Sequence, residues 1–137
     1  MSKQNLTVSL PQQTIRKAKI LVKLSESQLH QIRSEADSGK AEDGLKDLEQ
    51  VRDECISTHE ALKATAVDPE RKSAGFKELE ISVRESLHRL REILAGLGGE
   101  DEQHYAKVRT QLEQLNNELI KELFPRQPGA APQNPKP

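Results

Sequence analysis

The chain reads as an all-α protein, an antiparallel four-helix bundle of long helices, and three observations predict it. Four stretches repeat apolar residues at intervals of three or four, the spacing of one helix face. Hydrophobic residues make up 34% of the chain and charged residues 31%, a balance that suits narrow seams between rods better than a wide globular interior. Short glycine-containing joints separate the first stretch from the second and the third from the fourth, so each pair must fold back on itself. At 137 residues, one core is expected.

Residues 1–10 form an extended lead-in. Asn5-Leu6-Thr7-Val8-Ser9-Leu10 alternates polar and apolar, as a short strand or a plain approach to a helix would. Ser9 with Gln12 fits a capping box, and Pro11 is tolerated in a first turn, so a helix is expected over about 11–38. It would be about 40 Å long. Ile15, Ala18, Val22, Leu29, Ile32 and Ala36 form its stripe, interrupted at Ser25, and Gly39 offers the left-handed cap.

A second helix is expected over 41–64, with Leu45, Leu48, Val51, Cys55, Ile56 and Leu62 inward. The loop from Val67 to Gly75 is charged and bracketed by Pro69 and Gly75. The clearest stripe follows in a third helix, 74–96: Phe76, Leu79, Val83, Leu87, Leu90 and Leu94, continued by Leu97. After Gly96-Leu97-Gly98-Gly99 a fourth helix, 100–124, carries Tyr105, Val108, Leu112, Leu115, Leu119 and Leu123. The bundle domain is thus 11–124. Beyond it, 125–137 holds five of the seven prolines and too little apolar surface to offset its ordering entropy, so a disordered tail is expected.

Function classes narrow by elimination. With no Trp, one Tyr and two Phe, the chain lacks the large anchors of most ligand pockets. The single cysteine, Cys55, forms no internal disulfide, and Ile20-Leu21-Val22 is far short of a signal-peptide core or a membrane span; a cytoplasmic protein without a transmembrane segment is expected. Glu85 and His88 have the Glu-x-x-His spacing of di-iron bundles, but with Leu87 facing the core both point outward. Cys55 and His59 lie one turn apart without a third residue to orient the imidazole. Gly96, Gly98 and Gly99 follow a helix, where a phosphate loop would follow a strand. No catalytic residue, metal or cofactor is therefore expected.

Charge is unevenly placed. Residues 1–24 hold five bases (Lys3, Arg16, Lys17, Lys19, Lys23) and no acid, whereas 25–65 hold ten acids against five bases. Two readings follow: complementarity between helices or subunits, and a basic arm meeting an anionic partner. On a helical wheel, Arg16, Lys19 and Lys23 share one stripe beside Ile15, while Ile20, Leu24 and Leu21 fall on the far side from it. The first helix thus carries a second apolar face. Arg16, Lys19, Ile20, Leu21, Lys23 and Leu24 are the candidate interaction surface, for a protein partner or self-association.

Three resemblances bear on this. Ser38-Gly39-Lys40-Ala41-Glu42-Asp43-Gly44-Leu45-Lys46-Asp47-Leu48 resembles the joint of a tetratricopeptide-type hairpin, although the flanking helices are longer than that repeat and no second copy follows. Residues 30–124 resemble uncharacterised bacterial proteins of helical-hairpin type, which implies a fold and no activity. Asn5 through Lys19 is similar to the strand and first helix of ribbon-helix-helix DNA-binding proteins. That similarity implies a dimeric regulator using residues 3–24, with Lys3, Asn5 and Thr7 reading base edges from a ribbon in the major groove. The family's glycine turn has no counterpart in Leu24-Ser25-Glu26-Ser27-Gln28, where Ser25 and Gln28 would have to cap a new helix.

Overall fold

A computed structural model describes residues 10–126. Its helices are α1 (Leu10–Asp37), α2 (Ala41–Ala64), α3 (Phe76–Ala95) and α4 (Gly99–Leu123), each end within two residues of the boundary read from the sequence. The Ser9 cap, the strand-like lead-in and the tail from 127 onward lie outside the described residues. Among the described residues no helix is long and apolar enough to cross a membrane.

Consecutive helices run antiparallel, but the ring in cross-section is α1, α2, α4, α3. Cross-helix contacts fix this order. From α1 to α3, Ser25 meets Ser82 at 2.9 Å and Arg33 meets Glu92 at 2.8 Å, so these neighbours run parallel. From α2 to α4, Tyr105 donates to the Ala41 carbonyl, Arg52 to Gln111 and His59 faces Glu122, so these two also run parallel. Two antiparallel hairpins therefore stand side by side with like strokes adjacent. α2 and α3 lie on a diagonal, which is why their connection, 65–75, is the longest in the bundle while the other two joints are tight.

Gly75 ends that connection and sits where α1, α2 and α3 converge. Its φ of +89° suits glycine, and a Cβ there would stand 2.7 Å from Leu62 Cδ2 and 3.1 Å from Ile15 Cγ1. Its N–H donates to Glu78 Oε1 at 2.7 Å, which caps α3. The core runs the length of the ring, from Phe76 and Leu62 through Cys55, Val83 and Leu112 to Ile32, Leu48 and Tyr105, all at most 1% exposed.

The inward register of two helices differs from the one read off the sequence. In α1 the buried line is Thr14, Ala18, Leu21, Ser25, Leu29 and Ile32, while Ile15 and Val22 lie on its flank. Leu21, expected on the outer interaction face, is 6% exposed and belongs to the core. Ser25, read as an interruption, is buried because its hydroxyl is satisfied twice, donating to the Leu21 carbonyl and bonding to Ser82 Oγ. In α3, Ser86 is fully buried, its hydroxyl donating to the Ser82 carbonyl, and Leu87 is only half-buried. Serines at the α1–α3 crossing are small enough to let the backbones approach, and that approach rotates both helices away from the larger residues beside them.

Candidate interaction groove on the first hairpin

With Leu21 inside, the outer apolar surface of α1 over residues 11–37 reduces to Ile20 and Leu24, 56% and 52% exposed and one turn apart. They form one wall of a groove of about 620 Å³ whose floor is Leu21 and whose opposite wall is Asp53, Glu54 and Ser57 of α2. Arg16, Lys19 and Lys23, all exposed, lie on the other side of Ile20, toward α3. The face is therefore graded: Arg16, Lys19 and Lys23 on one flank, Ile20 and Leu24 with Lys17 at the centre, and the acids Asp53 and Glu54 on the other.

The bases are unpaired. None of the ion pairs among the described residues includes Arg16, Lys17, Lys19 or Lys23. Pairing of these bases with the acids of 25–65 inside one chain, one of the two readings of the charge pattern, is thus not found there. α1 instead reaches α3 through Arg33, which holds Glu92 at 2.8 Å and Asp37 at 3.8 Å.

A second concavity, about 590 Å³, lies between α3 and α4 beside Phe124, which is 53% exposed. Its buried acid, Glu80, is fully engaged: both its oxygens take Arg84 at 3.1 Å, and Oε2 also takes Asn116 at 3.1 Å.

The chemically reactive side chains are placed as follows. Cys55 is fully buried, and burial pushes its thiol up to about 12, with the Glu54 charge adding to the shift, so it carries no thiolate at neutral pH. His59 is 2% exposed, its Nε2 2.8 Å from Glu122 Oε1 and its ring edge-on to Phe76 with centroids 6.5 Å apart. Its burial was missed from the sequence, although the spacing Leu48, Val51, Cys55, His59, Leu62 continues one stripe and signals it. His88 and Glu85 are exposed, and no group of three or more His, Cys, Asp or Glu able to hold a metal occurs among the described residues.

α1 passes without a break through Leu24 to Gln28, where the ribbon-helix-helix pattern has its turn. Compared with known proteins, the chain matches no family model, no curated protein and no solved structure.

Proposed function

We propose that the protein is a non-catalytic interaction or scaffolding module, a helical bundle whose α1–α2 face receives a helix-built surface of a protein partner. The observation that carries this reading is the exposure of Ile20 and Leu24 together at the edge of a groove, on a helix whose Arg16, Lys17, Lys19 and Lys23 have no ion-pair partner among the described residues. Two adjacent aliphatic side chains half in water, ringed by charge, are the pattern of a docking patch with a polar rim. The reading places the protein in the cytoplasm, where a lone cysteine stays reduced.

The test is affinity purification from the native cell at endogenous level, with the chain intact and with Leu24→Asp. A stoichiometric companion chain held by the wild type and lost on Leu24→Asp supports the reading. Identical recoveries from both overturn it.

A second reading is a dimeric DNA-binding regulator using residues 3–24. It is favoured by the same unpaired Arg16, Lys17, Lys19 and Lys23. Duplex DNA affinity that falls steeply with added salt and weakens on Lys3→Ala or Arg16→Ala would support it.

A further inference from the structure

The graded face of the first hairpin selects its own occupant. We infer that a second copy of this chain docks on the α1–α2 groove, related to the first by a two-fold axis running along the groove between α1 and α2, so that Lys23 and Arg16 of each copy face Asp53 and Glu60 of the other. This rests on the interaction reading above and names the partner.

The argument is one of symmetry and charge. Two identical faces meet face to face through a two-fold that lies in the plane of contact, and the interface is then isologous. Laid across α1, such an axis keeps each flank on its own side and reverses the helix direction, bringing bases opposite bases and acids opposite acids. Laid along the groove, it exchanges α1 with α2 and keeps the height, bringing bases opposite acids. Only the second is electrostatically favourable, because like charges set opposite one another oppose association.

The heights match. α1 and α2 run antiparallel, with Ile32 beside Gly44 at one end and Lys17 beside Ser57 and Thr58 toward the other. Both helices rise equally per residue, so continuing that register places Lys23 level with Asp53 and Arg16 level with Glu60. Lys23, Arg16, Asp53 and Glu60 are all exposed. Asp53 already meets its neighbour Arg52 at 2.9 Å and offers its second oxygen to the other copy. Neither Arg16, Lys23 nor Glu60 has an ion-pair partner among the described residues. Along the axis itself, Leu24 of one copy meets Leu24 of the other, and Ile20 of each copy is covered by the other's α2, which takes both exposed aliphatic side chains out of water.

The available face is of the right size. α2 has 24 residues, a length of about 36 Å, and two adjacent helices are about 20 Å wide, giving on the order of 700 Å² per copy. A standard stable interface uses about 800 Å² per partner. With only two aliphatic anchors per copy, the dimer is a weak, reversible one.

The experiment is sedimentation equilibrium of the full chain from about 5 to 200 micromolar at low salt, the range in which a weak dimer populates both states. The wild type is expected to move from the 15.4 kDa of one chain toward twice that mass. Leu24→Asp, Lys23→Glu and Asp53→Lys are each expected to weaken association about tenfold or more, with circular dichroism unchanged. The geometry is tested by mixing: Lys23→Glu with Asp53→Lys restores two opposite-charge contacts, so an equimolar mixture of these two variants forms a heterodimer although neither pairs with itself. A wild type that stays at one chain's mass throughout overturns the self-pairing, and leaves the interaction reading standing if Leu24→Asp still loses a companion chain in the purification. A mixture that stays monomeric while the wild type dimerises overturns the axis.

Discussion

Gly44 on α2 lies directly under the phenol of Tyr105 on α4. The Tyr105 hydroxyl passes over the glycine to donate to the Ala41 carbonyl at 2.7 Å, and a Cβ on residue 44 would collide with Tyr105 Oη and stand 3.3 Å from the Ile32 carbonyl. One missing methyl thus lets α1, α2 and α4 meet at this end of the bundle.

Gly44→Ala is expected to lower stability by about 2 kcal/mol, the displaced buried hydrogen bond and the crowding outweighing the better helix propensity of alanine. Tyr105→Phe removes the colliding oxygen, so in that background the same change should cost about 1 kcal/mol less. A double-mutant cycle by urea denaturation measures the coupling; strictly additive effects would mean the phenol does not occupy that place.

Tyr105 is the only tyrosine, so its ionisation can be read by absorbance without interference. Burial pushes it up to about 12, helped by the charges of Asp101, Glu35 and Asp47. Its raised folded value means that this contribution to stability is whole below the ordinary value of 10 and is lost as pH rises toward 12. The folded protein should therefore show no phenolate absorbance at a pH where the urea-unfolded chain is already ionised.

Ser25→Ala should cost about 1–2 kcal/mol, since it strips a buried hydroxyl of its cross-helix partner at the α1–α3 crossing. Adding Ser82→Ala should cost less than the sum of the two single changes, because both halves of the polar pair are then gone. Ser25→Leu should cost more than either alanine change by forcing α1 off α3. Thermal melts of the four chains rank these effects.

Glu35, on α1 beside Asp47 of α2, is held above the usual carboxyl range by lost hydration first, then by the hydrogen bond its protonated form makes with Asp47, with the charges of Asp47 and Asp43 adding to it. A raised folded value favours the protonated form. The stabilisation is complete below the unfolded value and disappears as pH climbs through the folded one. Glu35→Gln should therefore melt higher than the wild type at pH 7, and the advantage should shrink to nothing by about pH 4. An advantage that grew on acidification would reverse this assignment.

Leu21 and Leu24 are near neighbours on one helix with opposite fates. Leu21→Asp should destabilise by about 4 kcal/mol or more, a charge forced into the core, while Leu24→Asp should stay within about 0.5 kcal/mol. Equal effects on the melting temperature would contradict the register of α1.

The outer surface of α1 was legible in part. The basic stripe and the second apolar face of α1 follow from helical spacing, and Ile20 and Leu24 are where it put them. The inward centre of that helix did not follow, because a wheel weights Ile15 and Val22 above Ser25, whereas a hydroxyl with two hydrogen-bond partners nearby packs as well as a methyl group. His59 was missed for the same reason: its polarity conceals a place in the core that Glu122 makes tolerable.

By itself, the sequence determined four helices, their ends, two tight hairpins and the up-and-down order. Those properties are local, decided by side-chain period and by turns a few residues long. Which helices stand side by side is not local: an α1–α2–α3–α4 ring and an α1–α2–α4–α3 ring share one pattern of stripes and joints. Tertiary packing decided between them, through Ser25 against Ser82 and Gly44 under Tyr105, where small residues let particular backbones approach and leave larger ones outside.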